Sequence, residues 1–121
     1  MCIRDSAGMM DTPELVARHD GYLEAHREAG VEPGPHIPVP FAFEAASRDL
    51  YAMLDRHPDI DGIVAASDMI AMKALHELSQ RGRRVPEDVA VVGYDDVTVA
   101  AHMVPPLTTI RQDLTLSLIH I

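Results

Sequence analysis

The sequence predicts an α/β fold, a three-layer parallel sheet with helices on both faces, and three observations predict it. Two short apolar runs, Gly62 to Ala66 and Val89 to Tyr94, lack the polar alternation of a half-exposed strand and suit parallel strands covered on both sides. Helical stripes alternate with such runs along the chain, the order that crossover units produce. With 121 residues and 47% hydrophobic side chains, there is material for one core but less than the usual length for two domains.

The first helix opens at Asp11 to Glu14. Thr12 can cap its free amides, Pro13 stands where a missing N–H costs nothing, and Glu14 suits the positive end of the helix dipole. Leu15, Tyr22 and Ala29 recur at helical spacing with Ala25 beside them, and Gly30 supplies a left-handed stop after Ala29. A Pro-rich connection from Glu32 to Pro40 follows, in which Ile37, Val39 and Phe41 alternate as an extended segment does. Pro38 and Pro40 confine it to an edge or a frayed strand.

A second helix is expected over Glu44 to Arg56, with Ala46, Leu50, Met53 and Leu54 on one face, and His57-Pro58-Asp59 breaks it. The Gly62 run then ends at Ser67-Asp68, either of which can cap a third helix reaching Gln80. That helix carries the stripe Ile70, Ala71, Ala74, Leu75, Leu78, and Gly82 closes it. The second apolar run ends at Asp95-Asp96. Met1 to Ser6 and Leu116 to Ile121 show no cap or turn linking them to their neighbours. They resemble translated adapter sequence and are expected to be non-native, outside the fold.

The 19 acidic residues against 10 basic ones give a net charge of −9, with the cations scattered, which disfavours direct binding to a phosphate backbone. The one cysteine, Cys2, cannot form an internal disulfide, as is usual for cytoplasmic proteins. No stretch has the roughly 20 apolar residues that span a bilayer, and the start lacks the order of a signal peptide. The histidines show no metal-binding spacing, and neither a metal nor a cofactor is expected.

In open parallel sheets, ligands sit beyond the carboxyl ends of the strands. Ser67-Asp68 and Asp95-Asp96 both fall there, with hydroxyl and carboxylate groups able to bond sugar hydroxyls or a purine edge. Each also has a plainer use. Asp68 or Ser67 can be a helix cap, and Asp95 a turn residue. A catalytic carboxylate pair is disfavoured because adjacent residues leaving a strand point apart. Arg18, three residues before Gly21, can aim a guanidinium past a small residue toward a neighbouring loop, or be a solvated helix residue.

Three segments together resemble the lactose-repressor/galactose-repressor family: Ser67 to Ala71, Val85 to Asp96, and Pro105 to Gln112. The Arg18-His19-Asp20-Gly21-Tyr22 element and the Gly62 strand fall at the expected distances upstream. The resemblance implies a periplasmic-binding-protein-like sensor in which two parallel-sheet subdomains clamp a small effector. Residues 7–115 would be a partial second subdomain, and the DNA-reading domain, the first subdomain and the closing elements would lie outside this chain.

Carried over, the resemblance implies that Arg18 and Asp95 bind the effector and that Ser67 contributes to the pocket. Phe41 would stack on the ligand, with Phe43 competing for that place. Met72 and Met103 would pack across the family's homodimer interface, their plainer use being core filling. Lys73 stands where the family commonly has Gly, which points its side chain to solvent or the dimer rim. The partners implied are a sugar-like or nucleobase effector and DNA through the absent domain, with no membrane and a cytoplasmic location. Alone, the chain would hold half a cleft and no DNA-reading heads, so weak or no effector affinity and no operator binding are expected.

The first rival is a periplasmic sugar-binding protein of a transport system; Pro105 to Gln112 looks more like the regulators. An enzyme would need a nucleophile–base pair or a metal constellation, and neither is legible. A truncated reading frame with no function of its own also fits the two ends.

Overall fold

A computed structural model of the chain describes residues 12–36 and 43–113. Its elements are α1 (Pro13–Ala29), α2 (Phe43–Arg56), β1 (Gly62–Val64), α3 (Asp68–Gln80), β2 (Ala90–Asp95), a 3-10 turn over Thr98–His102, and β3 (Thr108–Arg111). The strands form one parallel sheet in the order β1-β2-β3, with Ile63 opposite Val91 and Asp95 opposite Arg111. The expected strand around Ile37 to Phe41 and both suspected non-native ends lie outside the described residues.

The local signals act as their chemistry requires. The Thr12 side chain accepts from the amide of Leu15, and Gly30 takes the left-handed conformation, at φ 66°, that ends α1. At α3 it is Ser67 that caps, accepting from the amide of Ile70 at 3.4 Å, so Asp68 enters the first helical turn with its carboxylate free for other work. Gly82, at φ 69°, closes that helix, with the Arg83 amide reaching back to the carbonyl of Leu78 at 2.9 Å.

Side chains alternate across the sheet and divide it into two unlike faces. Ile63 and Val91 point toward α2 and α3 and join a core with Leu50, Leu54, Ala74 and Leu78. Burying each of the valine, leucine and isoleucine side chains contributes roughly 1.5–3 kcal/mol. Ala71 and Ala74 are fully buried, and their small size lets α3 lie close against β2. On the other face Val64 remains 43% exposed and Ile110 52% exposed. There α1 stands off the strands across a cavity of about 730 Å³ that Ala17, Tyr22, Val64 and Ile110 help to line. Helices therefore lie on both faces, but the two coverings are unequal.

The apolar stripe read on α1 does not translate into burial. None of its residues is buried, and of the four stripe positions only Leu15 and Tyr22 are partly covered. Strand β3 is an addition to the elements expected from sequence. Its four residues follow Pro105-Pro106 and leave Thr108, Ile110 and Arg111 exposed, so no apolar run announces it.

Candidate functional site

The carboxyl ends of β1 and β2 bring the predicted polar residues to one rim. Arg18 crosses from α1 to that rim. One guanidinium nitrogen donates to the carbonyl of Ala66 at 2.7 Å, the other lies 3.8 Å from the Asp95 carboxylate, and the group sits 3.8 Å from the centre of the Tyr94 ring. A guanidinium held at three points is oriented before any ligand arrives. Gly21 lines the same cavity as Arg18, and a Cβ built on it would meet nothing within 4 Å.

Asp95 and Asp96 leave the sheet by an unusual backbone turn. Both have positive φ, 122° and 56°, a region that costs a non-glycine residue on the order of 1–3 kcal/mol. Their side chains part as expected. Asp95 accepts from the Gln112 amide at 2.6 Å and faces Arg18, whereas Asp96 accepts from Arg111 at 2.6 Å. Burial pushes the Asp95 carboxyl above its ordinary pKa. The Arg18 charge and the Gln112 hydrogen bond oppose that shift, and the nearby Asp68 charge adds to it.

Beneath this turn the Asp68 carboxylate is wholly buried. One oxygen accepts from the Val97 amide at 2.9 Å and the other from the Thr109 hydroxyl at 2.5 Å. Thr109 in turn accepts from the Asp96 amide at 3.2 Å. Gly93 is required where it stands, because a Cβ on it would overlap the Asp68 Oδ1 atom and press on Leu107 and Ala71.

Of the six candidate residues, the structure thus brings Arg18 and Asp95 into contact, and places Ser67 beside Ala66, whose carbonyl Arg18 engages. Ser67 caps α3 and is half-buried. Phe41 lies outside the described residues, and of Phe43 only its place at the start of α2 is described. Met103 packs against the core and Met72 is half-buried.

Several neighbours were not anticipated. Tyr94 supplies the ring under Arg18, and the signal for it was its place immediately before Asp95. Gln112 and Thr109 lie in the Pro105 to Gln112 segment that carries the family resemblance. His19, His26 and His36 line the cavity beneath α1, and the rings of His19 and His36 lie 4.9 Å apart. No spacing rule would have joined a helix residue to one in the following loop. Among the described residues no group of three or more His, Cys, Asp or Glu side chains could hold a metal ion, and no helix is long and apolar enough to cross a membrane.

Residues 3–117 match the family model of the periplasmic binding protein-like domain. The chain belongs to this family. Among curated relatives it is similar to the HTH-type transcriptional regulator CelR of Thermobifida fusca, at 45% identity over 108 residues covering 88% of this chain and 32% of that protein. Among solved structures it is similar to a transcriptional regulator CelR–cellobiose complex, with TM-score 0.83 and 44% identity over 94% of this chain and 36% of the other. It also resembles a dimeric Lac repressor with a C-terminal deletion, with TM-score 0.82 and 27% identity over 94% of this chain and 42% of the other. The fold is thus periplasmic-binding-protein-like, and the resemblance to the lactose-repressor family holds in sequence and in structure. The chain spans about a third of the length of the curated relatives it matches.

Proposed function

We propose that this chain is one wall of the effector cleft of a lactose-repressor-type transcriptional regulator, and that the effector is a small saccharide. The observation that carries the reading is the Arg18–Asp95 pair at the carboxyl rim of the sheet, 3.8 Å apart and with side chains 21% and 34% exposed. The pair offers donors and acceptors side by side, fixed in place and reachable from solvent, which matches the vicinal hydroxyls of a sugar. The CelR–cellobiose complex at 44% identity supports a saccharide over a nucleobase, and the named relatives favour a regulator over a transport protein.

The role is binding rather than catalysis. An effector seated on this wall and on a facing subdomain favours one relative orientation of the two, and that orientation is read out by DNA-binding heads elsewhere in the intact protein. Coupling of about 1–3 kcal/mol is ordinary for such a device, and one charge-assisted hydrogen bond of roughly 1.5–3 kcal/mol is large on that scale. Ser67, and Phe41 by its place in the sequence, would complete the contacts on this side. Met72 and Met103 would face the partner in a homodimer, and the intact regulator would work in the cytoplasm with DNA as its second partner.

The test is a rebuilt full-length regulator in which this chain's matched segment replaces its counterpart in the Thermobifida fusca protein. Cellobiose should bind in isothermal titration, and Arg18→Ala should weaken binding by at least about tenfold while the melting temperature moves little. Unchanged affinity in that variant would remove Arg18 from the site.

A further inference from the structure

The carboxylate of Asp68 is fully buried, yet it neither caps its own helix nor reaches the rim where Arg18 and Asp95 meet. It lies one layer below and binds the strand-end turn from inside. Its two oxygens hold the Val97 amide directly and the Asp96 amide through the Thr109 hydroxyl, the two consecutive N–H groups that follow Asp95. Those peptides belong to a turn in which two successive non-glycine residues adopt positive φ. Such a conformation persists only where surrounding contacts over-determine it.

We propose that Asp68, with Thr109 as its relay, is a positioning residue for effector recognition: it holds the turn that aims the Asp95 carboxylate at Arg18. The proposal rests on the reading of Arg18 and Asp95 as effector ligands and adds to it the residues that set their geometry. Three features converge on the assignment. Gly93 has no side chain where one would overlap Asp68, so the strand leaves room for the carboxylate. Thr109 is used in both senses, donating to Asp68 and accepting from Asp96, which ties β3 to the same turn. Gln112, one residue past β3, holds Asp95 itself, so the Asp95 carboxylate inherits its position from two elements that Asp68 joins.

A merely structural Asp68 would lower stability without a specific effect on binding, and the experiment separates the two. In the rebuilt full-length regulator, cellobiose affinity and melting temperature are measured for Asp68→Asn, Thr109→Val, Thr109→Ser and, as a control of stability alone, Val91→Ala in the core. Thr109→Val keeps the side-chain volume and removes the relay. It should weaken cellobiose binding by roughly tenfold, Thr109→Ser should restore it, and Val91→Ala should leave affinity unchanged despite a comparable loss of melting temperature. Asp68→Asn, where it folds, should weaken binding at least as much as Thr109→Val.

Thr109→Val binding as tightly as the parent, or losing affinity only in proportion to a loss that Val91→Ala shares, overturns the positioning role while leaving the Arg18–Asp95 site standing. A parent protein that does not bind cellobiose overturns the saccharide site itself, and the positioning role with it.

Discussion

On the side of the sheet that faces α2 and α3, Leu50, Ile60, Ile63, Leu78 and Val89 are each at most 1% exposed, whereas α1 on the other side buries none of its 17 residues. The first side is fastened further by Arg81, which bonds Asp55 at 2.6 Å and the carbonyl of Tyr51 at 3.1 Å, and by Arg83, which bonds the carbonyl of Ile60 at 2.6 Å. On the second side Arg18 reaches from α1 to the Ala66 carbonyl at 2.7 Å and lies 3.8 Å from the Asp95 carboxylate. Stability and recognition are thus carried by different faces. Arg18 is carried on the less stable element, and elements that respond to ligands are drawn from that end of the stability range.

The comparison breaks most directly by truncation. Leu78→Ala removes a fully buried side chain from the packed face and should cost about 2–5 kcal/mol in chemical denaturation. Leu23→Ala on α1, where the residue is 38% exposed, should stay within about 0.5 kcal/mol. Equal losses would show that α1 shares the core after all.

Hydrogen exchange sharpens the same contrast at lower energy. Amides in α3 around Ala74 to Leu78 should exchange only through global unfolding, and amides in the middle of α1 through openings of about 1–2 kcal/mol. A 17-residue helix without a buried face is only marginally stable by itself, since packing supplies most helix stability in proteins. Saccharide bound at Arg18 in the rebuilt regulator should slow exchange in α1 more than in α3. Uniform protection of both helices would remove the distinction between the faces.

What could be read from sequence follows the same division. The packed face was legible because its signals are periodic and local: the alanine and leucine stripe of α3, the capping pair at Ser67-Asp68, the apolar runs of β1 and β2, and Gly82. Arg18 and Asp95 were legible as polar residues at strand and helix positions that a parallel sheet gathers at one rim, and the family resemblance gave each a role. The sequence offers Asp68 as a cap or a ligand group, and its hold on the strand-end turn could not be read, because its partners Val97 and Thr109 lie 29 and 41 residues away and meet it only once the sheet forms. The looseness of α1 was hidden for a related reason. A stripe of Leu15, Tyr22, Ala25 and Ala29 records which face a helix offers, and burial depends on what stands opposite it, here a cavity.

Asp95 joins the two halves of the comparison, because its ionised form serves the site and works against the fold. Desolvation raises its carboxyl pKa more than Arg18 and Gln112 lower it, so the folded value lies above the unfolded one, about 3.9 for a free Asp side chain. A group shifted in that direction favours folding fully below the unfolded pKa and loses that contribution as pH rises through the folded pKa. At neutral pH the charged carboxylate is therefore a net cost, and Asp95→Asn should raise the melting temperature of this chain there. With a third of the side chain in water the gain should stay within about 1 kcal/mol, and it should shrink as the pH is lowered toward about 4. The same substitution should weaken saccharide binding in the rebuilt regulator, a trade expected where a charge is kept for recognition against the preference of its surroundings. A lower melting temperature for Asp95→Asn at neutral pH would mean that attraction to Arg18 outweighs desolvation, and would make the pair a fastening of α1 rather than a group held ready for a ligand.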